Sequence, residues 1–155
     1  MNIGDSKGVV TIAIAVSMIS FNAALGDYCA ISDKERKSWA FLELANYSNK
    51  GFETKAETLP GDGKITTLDF HPDGLLLTTG HESGVLNIRD IRSSKLIKKL
   101  SPFKEDPIKS VSFSNLGYYF ACASTKSNTV KLFDIRKQFA ETAITWESEK
   151  SDETA

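Results

Sequence analysis

The stretch Ile65-Thr66-Thr67-Leu68-Asp69-Phe70-His71-Pro72-Asp73-Gly74 returns 43 residues later as Ile108-Lys109-Ser110-Val111-Ser112-Phe113-Ser114-Asn115-Leu116-Gly117. Ile65, Phe70 and Gly74 meet Ile108, Phe113 and Gly117 without a gap. Farther along, Val85-Leu86-Asn87-Ile88-Arg89-Asp90-Ile91 is echoed by Thr129-Val130-Lys131-Leu132-Phe133-Asp134-Ile135, now 44 residues apart. A looser copy lies upstream, where Phe21 precedes Phe70 by 49 residues and Leu44 precedes Ile91 by 47. The segments are short and rich in Val, Ile, Leu, Phe and Thr, which is strand composition. Between them, Pro72 presets φ for a type I turn and Gly74 supplies the left-handed position that closes a hairpin. Ser114-Asn115-Leu116-Gly117 repeats that turn without the proline.

Several short strands recurring every 40–45 residues, roughly, are the signature of WD-repeat propeller blades. The expected fold is all-β: a partial WD-repeat β-propeller of about three four-stranded antiparallel blades from a full set of about seven. The blades are placed at about 16–58, 65–100 and 108–146. They follow an N-terminal strand or irregular segment, 1–15, and precede a polar acidic tail, 147–155. Second strands at 75–79 and 118–124 show little alternation, which predicts cover on both faces by neighbouring blades. Residues 95–100 form an outer strand. A closed ring needs about 300 residues, so the chain reads as a fragment with two open apolar blade faces, and such faces aggregate or recruit a partner.

Composition narrows the function. With 155 residues, 41% hydrophobic and 25% charged, the chain is ordinary globular material. Nineteen Lys plus Arg against twenty Asp plus Glu leave a net charge of −1, which gives no global drive toward nucleic acid or anionic lipid. Arg89, Arg92, Lys95, Lys98 and Lys99 form a local surplus of base, but no aromatic ladder accompanies them for base stacking. Lysine on an outer strand also discourages edge pairing. Cys29 and Cys122 read as small buried hydrophobes of a reducing nuclear or cytosolic compartment. His71 and His81 fall at opposite ends of a blade, too far apart to share a metal, and His71 is expected to pack on Pro72 or face water. Gly61-Asp62-Gly63-Lys64 lacks the upstream glycine and the Ser or Thr of a phosphate loop. No catalytic residue, metal site or cofactor is expected. Residues 9–25 have the outline of a signal peptide, but Asp5 sits in the would-be basic region ahead of them, Thr11, Ser17 and Ser20 interrupt the apolar run, and a strand reading fits better.

Specific phrases go further. Phe70-His71-Pro72-Asp73-Gly74-Leu75, Ser114 through Tyr119, Thr129 through Lys137, and Gly26-Asp27-Tyr28 followed by Trp39-Ala40-Phe41 occur in this order. Together they resemble the WD-repeat propeller of the pre-mRNA-processing U-box ubiquitin ligases, over about residues 16–139. The structural repeat positions are Phe70, Gly74, Asp90, Phe113, Gly117, Phe133 and Asp134, with Phe133 in the Trp place of the Trp-Asp ending. Asp90 and Asp134 are expected to accept backbone N–H bonds in the following turn. The departures are as informative. A strong WD repeat joins a Gly-His before its first strand to an Asp before its third in a buried hydrogen-bond network. Here no His precedes Ile65 or Ile108, Ser83 and Ser127 stand in the Asp place, and Arg89 replaces Trp. These blades are therefore expected to rely on packing and strand pairing alone.

The reading is a non-catalytic interaction module. Loops fixed on a stiff scaffold lose little entropy on binding. One end gathers the loops 33–37, 60–64, 81–84, 104–107 and 125–128, and the opposite end carries the hairpin turns. The candidate partner-binding residues are Asp33, Lys34, Arg36, Asp62, Lys64, His81, Glu82, Lys104, Glu105, Asp106, Lys126 and Asn128. The resemblance implies spliceosomal subunits and ubiquitination substrates as protein partners, a nuclear location, and roles in splicing, ubiquitination and DNA repair. It implies no membrane and no direct nucleic-acid contact. It also implies a U-box for ubiquitin transfer and a coiled coil for homo-oligomerisation, and neither is found in this sequence. A generic WD-repeat adaptor outside splicing, or a secreted protein with a cleaved leader, are the alternatives.

Overall fold

The computed structural model describes residues 16–21, 28–33, 38–43, 53–57, 62–93, 95–124, 126–127 and 129–147. The first sheet contains β1 (Val16–Phe21), β2 (Tyr28–Asp33), β3 (Ser38–Glu43) and β4 (Glu53–Glu57). The second contains β5 (Ile65–Phe70), β6 (Leu76–His81), β7 (Leu86–Asp90) and β8 (Leu96–Leu100). The third contains β9 (Ile108–Phe113), β10 (Tyr119–Ser124), β11 (Thr129–Asp134) and β12 (Ala140–Glu147), with a short 3₁₀ turn, Ile135–Lys137, between the last two. Each sheet is a meander in which every strand pairs antiparallel with its sequence neighbour. The fold is a partial propeller of four-stranded antiparallel blades. Of the residues 9–25 with the outline of a leader peptide, 16–21 form β1, while the segment 1–15 and the tail after residue 147 lie outside the described residues.

The register shows that the repeat is real. Phe21 pairs with Cys29, Phe70 with Leu77 and Phe113 with Phe120, so the first hairpin of each blade closes on the same position. The inner strands β1, β5 and β9 lie next to one another, as radial blades require. Between the first and second blades the core is Ala30, Ile65, Leu68, Phe70 and Leu77. Between the second and third it is larger: Leu86, Ile88, Phe103, Ile108, Val111, Phe120, Cys122 and Phe133. Phe120 and Phe133 stack with centroids 4.9 Å apart, and Phe113 tilts against Phe120. Gly80 has a steric reason to be glycine, because a Cβ there would sit 2.7 Å from the Ile108 side chain.

Polar groups also stitch the blades. One Asp69 carboxylate oxygen accepts from its own neighbour Phe70 N, and the other accepts from Phe113 N of the third blade at 3.3 Å. The Ser20 hydroxyl of the first blade donates to the same carboxylate. His71 does more than pack on Pro72. Its Nε2 bonds the Gly117 carbonyl at 2.9 Å, and its ring meets Phe113 edge-on, so the second blade's hairpin is tied to the third's. The turn after each third strand is held as expected, with Asp90 accepting from Ser93 N and Asp134 from Arg136 N.

Candidate partner-docking face

The candidate residues converge at the end of the blades where β5 and β9 begin. In the second blade, the segment 62–64 leads into β5 and runs beside the β6–β7 turn. Glu82 N donates to Lys64 O at 2.9 Å, and the Ser83 hydroxyl donates to Asp62 O at 2.7 Å. Gly84, at φ +81°, closes that turn, and a Cβ there would collide with the carbonyls of Phe103 and Asp106. The second blade's turn therefore abuts the segment entering the third blade. Asp106 continues the chain of contacts, accepting from Lys126 N and Ser127 N at 3.0 Å each. The structure thus brings together Asp62, Lys64, His81, Glu82, Lys104, Glu105, Asp106 and Lys126. Lys34, Arg36 and Asn128 lie outside the described residues, and Asp33 is the last residue of β2.

Within this set the roles divide. Asp62 and His81 are fully buried and face their own blade. Asn87 Nδ2 donates to Asp62 Oδ2 at 2.8 Å and to His81 Nε2 at 3.1 Å, and the Thr79 hydroxyl bonds the same Nε2 at 3.0 Å. With Nε2 accepting twice, the imidazole proton belongs on Nδ1, which faces the Gly63 carbonyl at 3.5 Å. Burial holds His81 below the ordinary imidazole value, so the ring is neutral, as this tautomer requires. Burial alone would raise the Asp62 carboxyl. Hydrogen bonds from Lys99 and Asn87 outweigh it and bring the group below the usual carboxylate range. Lys99 reaches inward from β8 to Asp62 Oδ1 at 2.6 Å, so one carboxylate ties the entry loop to the third and outer strands.

This corrects the expectation that the second blade has no buried polar network. The network exists with its parts exchanged: the acid precedes the first strand and the histidine ends the second. Neither side chain is free for a partner, since each is spent inside the blade. The third blade holds a reduced version, in which Asp106 stands one residue nearer its inner strand than Asp62 does, Ser124 stands opposite Ile108 as His81 stands opposite Ile65, and the Ser124 and Ser127 hydroxyls bond each other. Sequence reasoning missed Asn87, Thr79 and Lys99. The available signal was an aspartate two or three residues before each inner-strand isoleucine.

What remains outward is a set of charged tips: Lys64, Glu82, Lys104, Glu105 and Lys126 are exposed. Beside them a groove of about 510 Å³ is lined by Phe103, Lys104, Asp106, Ser127, Thr129, Lys131 and Glu141. Its floor is Phe103, with the Lys131 ammonium 5.6 Å from the ring centroid and paired to Glu141 at 3.0 Å. The buried thiol of Cys122 is pushed up to about 12, so it carries no nucleophile. Among the described residues no three His, Cys, Asp or Glu side chains are grouped to hold a metal ion.

Comparison with known proteins agrees with this geometry. The family model for the nucleolar protein 10-like N-terminal domain, a β-propeller, matches residues 4–154. The chain belongs to this propeller family. The sequence is also similar to pre-mRNA-processing factor 19 of Dictyostelium discoideum, 34% identical over 117 residues, covering 73% of this chain and 20% of that protein. Pre-mRNA-processing factor 19 homolog 2 of Arabidopsis thaliana is 38% identical over 103 residues, covering 64% of this chain and 18% of its own length. Human DDB1- and CUL4-associated factor 10 is 33% identical over 75 residues, covering 48% of this chain and 13% of that protein. The chain therefore spans about a fifth or less of the curated relatives it matches. The Myceliophteria thermophila Cps50 (Swd1) β-propeller domain superposes with a TM-score of 0.67 at 15% identity, over 81% of this chain and 40% of that one, a likeness of fold. The chain is a propeller domain related to the pre-mRNA-processing factor 19 proteins.

Proposed function

We propose that this nucleolar protein 10-like propeller docks protein partners in a nuclear RNA-processing assembly of the splicing type, through the charged tips Lys64, Glu82, Lys104, Glu105 and Lys126. The observation that carries the reading is the division of labour just described. Asp62 and Asp106 hold the backbone of the loops with their carbonyl and carboxylate oxygens, while the charged tips beside them point outward. A tip held this way is already in its binding conformation, so little entropy is lost on contact. The similarity to pre-mRNA-processing factor 19 supports splicing partners and a nuclear location. Ubiquitination substrates belong to the same proposal, with this chain supplying the docking surface and no transfer chemistry. The shorter similarity to DDB1- and CUL4-associated factor 10 favours a second reading, an adaptor outside splicing.

The test is affinity capture on the tagged full chain from nuclear extract, with recovered proteins identified by mass. Enrichment of splicing-complex subunits that is lost in the triple variant Lys64→Glu, Lys104→Glu, Lys126→Glu, with its circular dichroism unchanged, supports the proposal. Equal recovery by wild type and variant rejects the assigned face. Recovery of cullin-associated proteins in place of splicing subunits selects the adaptor reading.

A further inference from the structure

The second blade supplies its own ammonium to its entry-loop aspartate, and the third does not. Lys99 reaches from β8 to Asp62 Oδ1 at 2.6 Å while its side chain stays 41% exposed, so the place it fills is reached from solvent. Strand register transfers that place to the third blade. Asn87, which also bonds Asp62, pairs with Lys99. Lys131, 44 residues after Asn87, pairs with Thr145. Thr145 therefore holds the register position of Lys99, with a hydroxyl residue in place of a long-stemmed ammonium. Lys131 does not stand in for it, because its own ammonium turns to Glu141 at 3.0 Å and lies over the Phe103 ring. What is left is the groove of about 510 Å³ between Lys131 and Asp106. Its floor, Phe103, belongs to the core shared by the second and third blades, so the groove lies between two described sheets.

Asp106 presents a full negative charge to this groove. Burial alone would raise its carboxyl, but hydrogen bonds from the Ser124 hydroxyl and from the Lys126 and Ser127 amides bring it below the usual carboxylate range. Those donors are neutral, and among the described residues no ammonium or guanidinium pairs with Asp106. A hydrogen bond between two ionised groups is stronger than one from a neutral donor. We propose that the groove receives one lysine side chain of a protein partner, whose ammonium takes on Asp106 the place that Lys99 takes on Asp62. The occupant follows from the internal precedent: an aspartate before the inner strand, the same register position beside it, and the same access from outside the sheet. The inference rests on the reading of this end as a partner-docking face and adds the chemistry of one contact, a basic residue of the partner.

A nuclear magnetic resonance titration of the full 155-residue chain with Nα-acetyl-lysine N-methylamide, at an ionic strength fixed with sodium chloride, tests this. The amides of Lys126 and Ser127, which donate to Asp106, shift saturably. Nα-acetyl-norleucine N-methylamide, which has the stem without the ammonium, leaves them in place. Thr145→Lys fills the groove from within the chain and abolishes the response. Asp106→Asn, which keeps the shape and removes the charge, abolishes it too, and the dispersion of both spectra shows that the variants are folded. The absence of a saturable shift overturns the inference. So does an equal response to the norleucine amide, or a response that persists in Thr145→Lys. No extract enters this titration, so its failure leaves the charged-tip reading standing, and the capture experiment tests that reading by itself.

Discussion

The second and third blades share a register, a turn chemistry and an inner-strand phenylalanine, yet they are held together by different means. The second blade wraps a buried aspartate in Asn87 and Lys99, sets a neutral histidine beside it, and has its middle strand covered on both faces. The third has its aspartate one residue nearer the inner strand and surrounds it with serines and backbone amides, and its outer face is only half covered. Chain topology specifies a blade; the buried polar cluster and the neighbour on each side decide how firmly it is held. A buried polar network whose members hydrogen-bond one another rigidifies its surroundings.

The sharpest way to break the contrast is to remove the two aspartates in turn. Asp62→Ala removes one of the two acceptors of the buried Asn87 amide and frees Lys99, and should cost about 2–3 kcal/mol. Asp106→Ala gives up bonds to backbone amides near water and should cost about 1 kcal/mol or less. Urea unfolding followed by circular dichroism compares them. Equal losses would erase the distinction between the blades.

Next in size is a pair at one repeat position. Gly80→Val drives a side chain into Ile108 and wedges the second and third blades apart, at a cost of about 1–3 kcal/mol. Ala123→Val, 43 residues on, meets no described sheet and should stay within about 0.5 kcal/mol of wild type. Thermal melts of the two variants report this, and a large loss at Ala123 would mean that the open face is already packed.

A smaller effect is tied to pH. Burial depresses the His81 pKa in the folded chain, so the unfolded chain takes up a proton that the folded one refuses. The His81 contribution is complete above the ordinary imidazole value of about 6.5 and is lost progressively as pH falls below it. Asp62, also depressed, adds a loss of the same sign only below the ordinary carboxylate value. Burial raises the Asp69 carboxyl, so acidification acts there in the opposite direction. His81→Ser, which copies Ser124, should lower the melting temperature at about pH 7.5 and flatten its fall toward about pH 5.5. A variant that keeps the wild-type slope would place the titration elsewhere.

The fold was legible in the sequence because Phe70 and Phe113, Gly74 and Gly117, and Ile65 and Ile108 recur without a gap, and strands with that spacing have few other ways to bury their apolar faces. The polar network was not legible, because His81 and Asp62 stand where the WD pattern puts other residue types. Only pairing β5 against β6 brings His81 opposite Ile65 and the entry loop. The loop face was legible as a place and partly misread as a list. Asp62 and His81 look like surface charges in sequence, and only their burial shows that they support Lys64 and Glu82. The difference in cover was hidden by composition, since β6, with Thr78, Thr79, Gly80 and His81, is the more polar strand and yet the more buried. A sequence does not display register either: in every blade both the inner and the outer strand slip register against their neighbours.

Residue-resolved amide hydrogen exchange on the chain, at a concentration where it is monomeric, tests the contrast between blades most directly. The amides of β6 and β7 should exchange only through global unfolding, while those of β11 and β12 exchange faster through local opening of the third blade. Equal protection of the two blades, or slower exchange in β11 than in β7, would contradict the account.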